Sequence, residues 1–230
     1  MPQRASSRPQ LLLATNNPGK VAELRALLEG CGWEIVTPQQ LGIDLPDEET
    51  GRTYAENAAQ KALRAARASG LVALADDSGL EIEVLDGAPG IESARFLGRE
   101  ATYDQRFAEI LRRLAGLPRA GRQARFVCVM AVADPGTERG QTAARLGVRL
   151  AEGEVRGLIA EEPRGEGGFG YDPIFWVPQQ SATMAELPAH QKGIISHRAR
   201  AAAVARQILK ELLHEHRRKD TADGSTLQRG

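Results

Sequence analysis

LVALADDSGLEIEVLDGAPGIESARF, residues 71–96, is the stretch from which the fold is worked out. An apolar run from Leu71 to Ala75 ends in two adjacent carboxylates, Asp76 and Asp77, followed by Ser78 and Gly79. Beyond them Leu80, Ile82 and Val84 alternate with Glu81 and Glu83, the period of a half-buried strand. The pattern predicts one strand stopping and another beginning, with the two acids at the break. Strand ends are where α/β folds hold ligands. Adjacent acids repel unless a cation or proton intervenes, which points to a hard divalent ion on oxygen ligands. Asp-Asp-Ser-Gly is also good turn chemistry, its Asp side chains bonding their own backbone.

Upstream, Leu11 to Ala14 reads as a short buried strand, followed by Thr15-Asn16-Asn17-Pro18-Gly19-Lys20. Val21, Leu24, Leu27 and Leu28 then give one apolar helix face closed by Gly30. A strand, a turn with a lysine and a helix start present N–H groups and a positive dipole end to an anion. A plain strand-to-helix turn has the same pattern. It is not a Walker A loop, which needs Gly at Ala14 and Ser or Thr at Val21. Trp33 to Val36 reads as a strand, and Pro38 to Pro46 as a loop leading to Asp47-Glu48-Glu49-Thr50-Gly51. Thr53 and Glu56 have capping-box spacing for an Ala-rich helix from Tyr54 to Ser69. Asp47 and Glu48 suit the positive end of that helix; Glu49 is the candidate metal ligand.

Downstream, Gly87-Ala88-Pro89-Gly90 forms a tight turn, Tyr103 to Ala115 a helix and Ala124 to Ala133 a long buried strand. Ala143 to Ala151 and Val155 to Ala160 read as a hairpin turning at Glu152-Gly153-Glu154. In residues 163–173 four glycines within six residues are interleaved with Phe169 and Tyr171, which suits neither helix nor strand. Such a segment can bring backbone close to a ligand and offer a ring face, or serve as a surface loop with its aromatics tucked inward. Lys192 to Arg198 opens a last helix reaching about Glu215, with Ser196 as its cap. His197 and Arg198 in its first turn oppose the helix dipole, a placement that hints at function.

Composition narrows the classes. The chain has 230 residues, 42% hydrophobic and 26% charged, with formal net charge zero. That is globular composition, and whole-molecule charge gives no reason to expect nucleic acid or an anionic membrane as partner. Basic residues do crowd the C-terminal segment, where a solvated helix face accounts for most of them. Cys31 and Cys128 form no CxxC pattern, and Cys128 sits in an apolar run as a core residue. The start has too few apolar residues for a signal peptide or membrane span, so the cytoplasm is the expected compartment. The expected organisation is an arm at residues 1–9, one domain at 10–216 and a disordered tail at 217–230.

Together these pieces make the inventory of a magnesium-nucleotide site: an anion loop, metal carboxylates, a stacking ring and polar groups for a base edge. Six motifs also occur in order: Thr15-x-Asn17-x-x-Lys20, Glu48-Glu49-Thr50-Gly51, Ala75-Asp76-Asp77-Ser78-Gly79-Leu80, Gly87-Ala88-Pro89-Gly90, Gly167-Gly168-Phe169-Gly170-Tyr171-Asp172-Pro173 and Ser196-His197-Arg198. In these the chain resembles the Ham1 family, the non-canonical purine NTP pyrophosphatases, from about Leu11 to Leu213. It departs around Tyr103-Asp104-Gln105-Arg106, where the family usually has an Asn-containing helix start.

The resemblance implies an α/β fold with an elongated, long-stranded mixed sheet, flanking helices and two lobes around a central cleft, usually as a homodimer. It implies hydrolysis of ITP, dITP and XTP to the monophosphate and pyrophosphate with Mg2+, cleansing the nucleotide pool. Carried over by position, Thr15, Asn16, Asn17, Pro18, Gly19 and Lys20 hold phosphates, while Glu49 and Asp77 serve the metal. Asp77 is also the general base, with Ser78 beside the substrate. Phe169 stacks on the base, and Gly170, Tyr171, Asp172, Lys192, His197 and Arg198 complete the pocket. Asp76 and Arg95 support them. Two rivals are a nucleotide sensor without turnover and a Maf-type pyrophosphatase, the latter disfavoured by Ser196-His197-Arg198. A third, a nucleic-acid binder on the basic last helix, fits poorly with 4% aromatic residues.

Overall fold

The strand expected to break at the acids does not break. In the computed structural model, which describes residues 8–46, 49–137 and 147–226, Val72–Ile82 is one continuous strand, β3. It follows β1 (Gln10–Leu13) and β2 (Glu34–Val36) and precedes β4 (Gln123–Ala133), β5 (Val148–Ile159), β6 (Phe175–Val177) and β7 (Ala182–Thr183). Together they make a seven-stranded mixed sheet in the order β2-β1-β3-β4-β5-β6-β7. β1 is parallel to β2 and β3, and the other pairs are antiparallel.

β3 stays paired with β4 from Ala73↔Ala133 to Ile82↔Ala124, through Asp76↔Met130 and Asp77↔Val129. A ladder is made by backbone groups, so polar side chains do not end it when they find partners of their own. What stops is the neighbour: β1 pairs with β3 only as far as Leu13↔Leu74. The acids therefore lie in mid-strand, just past the end of β1.

The expected hairpin is likewise one strand, β5, although residues 138–146 lie outside the described ones. Gly153 sits in mid-strand opposite Cys128. A β-carbon there would lie 2.3 Å from the His197 carbonyl oxygen and 2.4 Å from the Ala201 nitrogen. Its missing side chain admits a helix, not a turn.

Among the described residues that helix is the last of six: α1 (Pro18–Leu27), α2 (Pro38–Leu41), α3 (Tyr54–Ser69), α4 (Tyr103–Arg113), α5 (Ala189–Ile195) and α6 (His197–Thr226). α2 replaces part of an expected loop, because Thr37 and Gln40 form a capping box around Pro38. Ser196 separates α5 from α6, and its hydroxyl accepts the Ala199 N–H at 3.1 Å. α6 runs past Glu215, so residues 217–226, expected within a disordered tail, are helical. Residues 1–7 of the arm and 227–230 lie outside the described residues.

Three cores flank the sheet. α1 and α6 bury Leu24, Leu28, Ala202, Leu209 and Leu212 against Leu11, Leu13, Leu74 and Met130 on one face. α3 lays Ala58, Ala62, Ala65 and Ala66 on the other, against Leu12, Ala73, Ala75 and Ala131. Leu11, Leu12 and Leu13 are fully buried, each worth about 1.5–3 kcal/mol of transfer free energy. At the far end of the long strands, Phe107, Ile110 and Leu114 of α4 pack with Leu80, Ile82, Phe126 and Phe175. Along β3 the first two cores end at Ala75 and the third begins at Leu80. Asp76 to Gly79 occupy the gap. Among the described residues no helix is long and apolar enough to cross a membrane.

Candidate active site

The loop after β1 is built by Asn17. Its Oδ1 accepts from the N–H groups of Gly19 at 2.9 Å and Lys20 at 3.2 Å, while its own N–H donates to Thr15 Oγ1 at 3.2 Å. These bonds hold the start of α1, with Pro18 in its first turn. Thr15, Asn16, Asn17 and Lys20 line a cavity of about 450 Å³, whose far side carries Glu49, Lys61 and Arg95. Lys20 Nζ reaches back to Asp76 Oδ2 at 3.1 Å.

Asp76 and Asp77 alternate across the sheet and meet different neighbours. Asp76 is buried among cations, with Arg198 at 3.2 Å, and accepts the Ser78 hydroxyl at 2.8 Å. Burial works against its charge, but Lys20 and Arg198 outweigh that and hold the carboxyl far below its ordinary value. Its Oδ1 is buried without a partner. Asp77 accepts a 3.0 Å hydrogen bond from Asn57 Nδ2, and its Oδ1 lies 3.7 Å from Lys61 Nζ. Burial, assisted by the Glu49 charge and opposed by Lys61, pushes Asp77 upward. Glu49 pairs with both Lys61 and Arg95, the latter at 2.6 Å. Burial raises Glu49, but Lys61 and then Arg95 prevail, leaving it below its ordinary value.

A second cavity of about 100 Å³ shares Asn17, Lys20 and Glu49 with the first and is lined by Asp77, Phe169 and His197. The Phe169 ring lies 5.0 Å from Lys192 Nζ and 5.1 Å from the Arg198 guanidinium carbon. It packs on Gly19, where a β-carbon would come within 2.7 Å of the ring. Asp172 fixes the loop, its Oδ2 accepting from the Phe169 N–H at 2.9 Å and Lys192 Nζ at 2.5 Å. Tyr171 contributes a ring wall, since its hydroxyl donates to the Ser93 carbonyl at 2.9 Å. His197 stacks on Phe126 with centroids 4.7 Å apart, and its Nδ1 is buried without a partner. Burial, with Arg198 and Lys192 nearby, drives its pKa well below the ordinary value, so the ring is neutral.

His197 and Arg198, in the first turn of α6, are both buried. Burial disfavours the charge on Arg198, but Asp76 and Glu23 more than restore it. The chain thus answers the unfavourable dipole with a neutral imidazole and a paired guanidinium.

The Ham1 family pattern matches residues 11–208. The chain belongs to the Ham1 family. A dITP/XTP pyrophosphatase of Desulforamulus reducens is 46% identical over 203 residues, covering 88% of this chain and 96% of its own. One from Bacillus subtilis is 44% identical over 192 residues, covering 84% and 92%. A solved HAM1 protein from Coxiella burnetii superposes with a TM-score of 0.77 at 39% identity, covering 88% of this chain and 99% of its own.

The Ham1 site contains side chains that the sequence did not single out. Asn57 and Lys61 lie one turn apart on the alanine face of α3, and Asn57 is fully buried. Two polar residues four apart within an alanine stripe were the available signal. Glu23, three after Lys20, pairs with Lys192 at 2.5 Å and Arg198 at 2.7 Å, tying α1 to the base side. Asp47 and Glu48 lie outside the described residues. Among the described residues no three metal-ligating side chains cluster. The two carboxylates that converge, Glu49 and Asp77, share the Lys61 ammonium between them. That acidic oxygen pair fits a hard divalent ion, which commonly takes one or two carboxylates and completes its shell with water and substrate phosphates.

Proposed function

We propose that this Ham1 protein hydrolyses non-canonical purine nucleoside triphosphates (ITP, dITP and XTP) to the monophosphate and pyrophosphate. The observation that carries this is the junction of the two cavities. Lys20 and Glu49 line both, with Asp77 beside them, so a triphosphate in the larger space and a base in the smaller meet at a carboxylate. The names of the curated relatives support the same activity.

Lys20 binds phosphate oxygens and offsets their charge, with the positive end of α1 behind it. Asp77 is the general base: oriented by Asn57, with Lys61 opposing the upward push of burial on its carboxyl, it accepts the proton of the attacking water. Magnesium held by Glu49 and Asp77 would supply further charge neutralisation on the phosphates. Lys61 holds those carboxylates together. Arg95 braces Glu49 from the side.

On the base side, Phe169, packed on Gly19, supplies a ring face. The neutral His197 lines the same small cavity, and its unpartnered Nδ1, in the Nδ1–H tautomer, would serve as a donor to the O6 of hypoxanthine or xanthine. Adenine offers an amino donor there, so donor would face donor. The family resemblance supports a homodimer.

The test is a product assay. ITP with magnesium should give IMP and pyrophosphate without IDP. Orthophosphate without pyrophosphate, from a phosphatase-free preparation, would overturn the assignment.

A further inference from the structure

No role described so far uses Tyr103. It is the first residue of α4, fixed by a capping box between Thr102 and Gln105. Its ring meets Tyr171 edge-on at 5.4 Å and Phe107 at 6.0 Å. The Arg106 guanidinium lies over the ring at 4.9 Å. Arg106 is itself buried, donating to the carbonyls of Phe96 at 2.9 Å and Gly98 at 3.1 Å. Three neighbours and a cap thus pin a side chain that remains 38% exposed.

The exposed part faces the nucleoside side of the site. Tyr103 lines the same small cavity as Phe169 and His197. Its hydroxyl overhangs Gly170, where a β-carbon would lie 3.8 Å from Oη. The neighbouring Tyr171 spends its hydroxyl on Ser93, whereas Tyr103 Oη has no hydrogen bond to any described residue. A solvated surface tyrosine needs neither a buried arginine against its face nor a position at the lip of an aromatic compartment.

We propose that Tyr103 is a nucleoside-binding residue, forming a second aromatic wall beside Phe169 and hydrogen-bonding the nucleoside through its hydroxyl; this rests on the nucleotide function above. Aromatic contact is tolerant of base identity, because every base has a π-face. Tyr103 therefore adds affinity for purine nucleosides in general and leaves the choice of O6 to the opposite wall.

Steady-state kinetics with ITP, together with inhibition by inorganic tripolyphosphate, test this. Tripolyphosphate carries the phosphates without the nucleoside. Tyr103→Phe should raise KM for ITP about two- to tenfold, the worth of one hydrogen bond. Tyr103→Ala should raise it further, with kcat within twofold in both, the signature of lost uniform binding. The tripolyphosphate inhibition constant should stay within twofold, and the ITP-to-ATP ratio should not change. An unchanged KM in Tyr103→Phe and Tyr103→Ala overturns the proposal and leaves the function standing. A parallel weakening of tripolyphosphate also overturns it, because the effect is then structural. Should Tyr103→Ala fail to fold, Tyr103→Phe alone decides. Wild-type protein without ITP turnover overturns the function itself, and this proposal with it.

Discussion

Asn57 Nδ2 donates a 3.0 Å hydrogen bond to Asp77 Oδ2, so the carboxylate on β3 is aimed by a helix twenty residues upstream. Lys61, one turn further along α3, lies against the other oxygen of Asp77. The Asp77 carboxylate is thus held from one side by an amide and an ammonium.

Asp77→Asn keeps the shape and removes the proton acceptor. A general base supplies about 10²–10⁴-fold in rate. kcat for ITP at saturating magnesium should fall by that much, with the circular dichroism spectrum unchanged. Turnover of a folded variant within threefold of wild type would exclude Asp77 as the base.

Asp76→Asn should act mainly on stability. The sequence placed Asp76 in a supporting role, and it lies buried as the counter-charge of Lys20 and Arg198. Removing one partner of a buried ion pair costs about 3–5 kcal/mol. In a chain of this size each kcal/mol lowers Tm by about 2–4 °C. A Tm within 2 °C of wild type would show that Arg198 and Lys20 do not depend on it.

Base choice should pass through His197. One buried mismatch costs about 1–3 kcal/mol, or roughly 5- to 150-fold in kcat/KM between ITP and ATP. His197→Phe keeps a ring against Phe126 and removes Nδ1, so the ratio should collapse toward one. A preserved ratio would move the discriminating donor elsewhere.

His197 also sets a pH dependence of stability. Its folded pKa lies well below the ordinary 6.5. As pH falls below 6.5 the unfolded chain takes up a proton that the folded chain refuses, so stability is complete above 6.5 and declines below it. The loss grows progressively between pH 6.5 and 5.5. His197→Phe should lack this component: its Tm should fall less than that of wild type between pH 7.5 and 5.5. Parallel curves would disprove the assignment.

Gly153→Ala should destabilise the chain by about 1–3 kcal/mol, the usual cost of overpacking. The new carbon would meet the backbone of α6 at 2.3 Å, and backbone cannot rotate away. Thermal melting decides it, and an unchanged Tm would mean that α6 shifts freely.

Much of the site was written in local patterns. The acids of residues 76 and 77, the lysine after β1, the glycine-aromatic loop and the Ser-His-Arg helix start were each legible as chemistry, because each needs particular residue types at short spacing. Cys128 was rightly placed in the core, where burial pushes its thiol up to about 12. The breaks were misjudged where polar residues or glycine interrupt an apolar run. At Asp76-Asp77 and at Gly153 the side-chain pattern changes while the backbone ladder continues, and periodicity reads side chains alone.

The sequence by itself determined the alternation of strands and helices, the family, and the kind of groups that meet a nucleotide. Tertiary structure alone decided what each carboxylate meets. Asp76 and Asp77 are adjacent and chemically identical, yet neighbouring residues of a strand face opposite sides of the sheet. One therefore meets Lys20 and Arg198 from α1 and α6, and the other Asn57 and Lys61 from α3. Those partners lie between 16 and 122 residues away in the chain, and only the packing of the helices on the two faces brings them within reach.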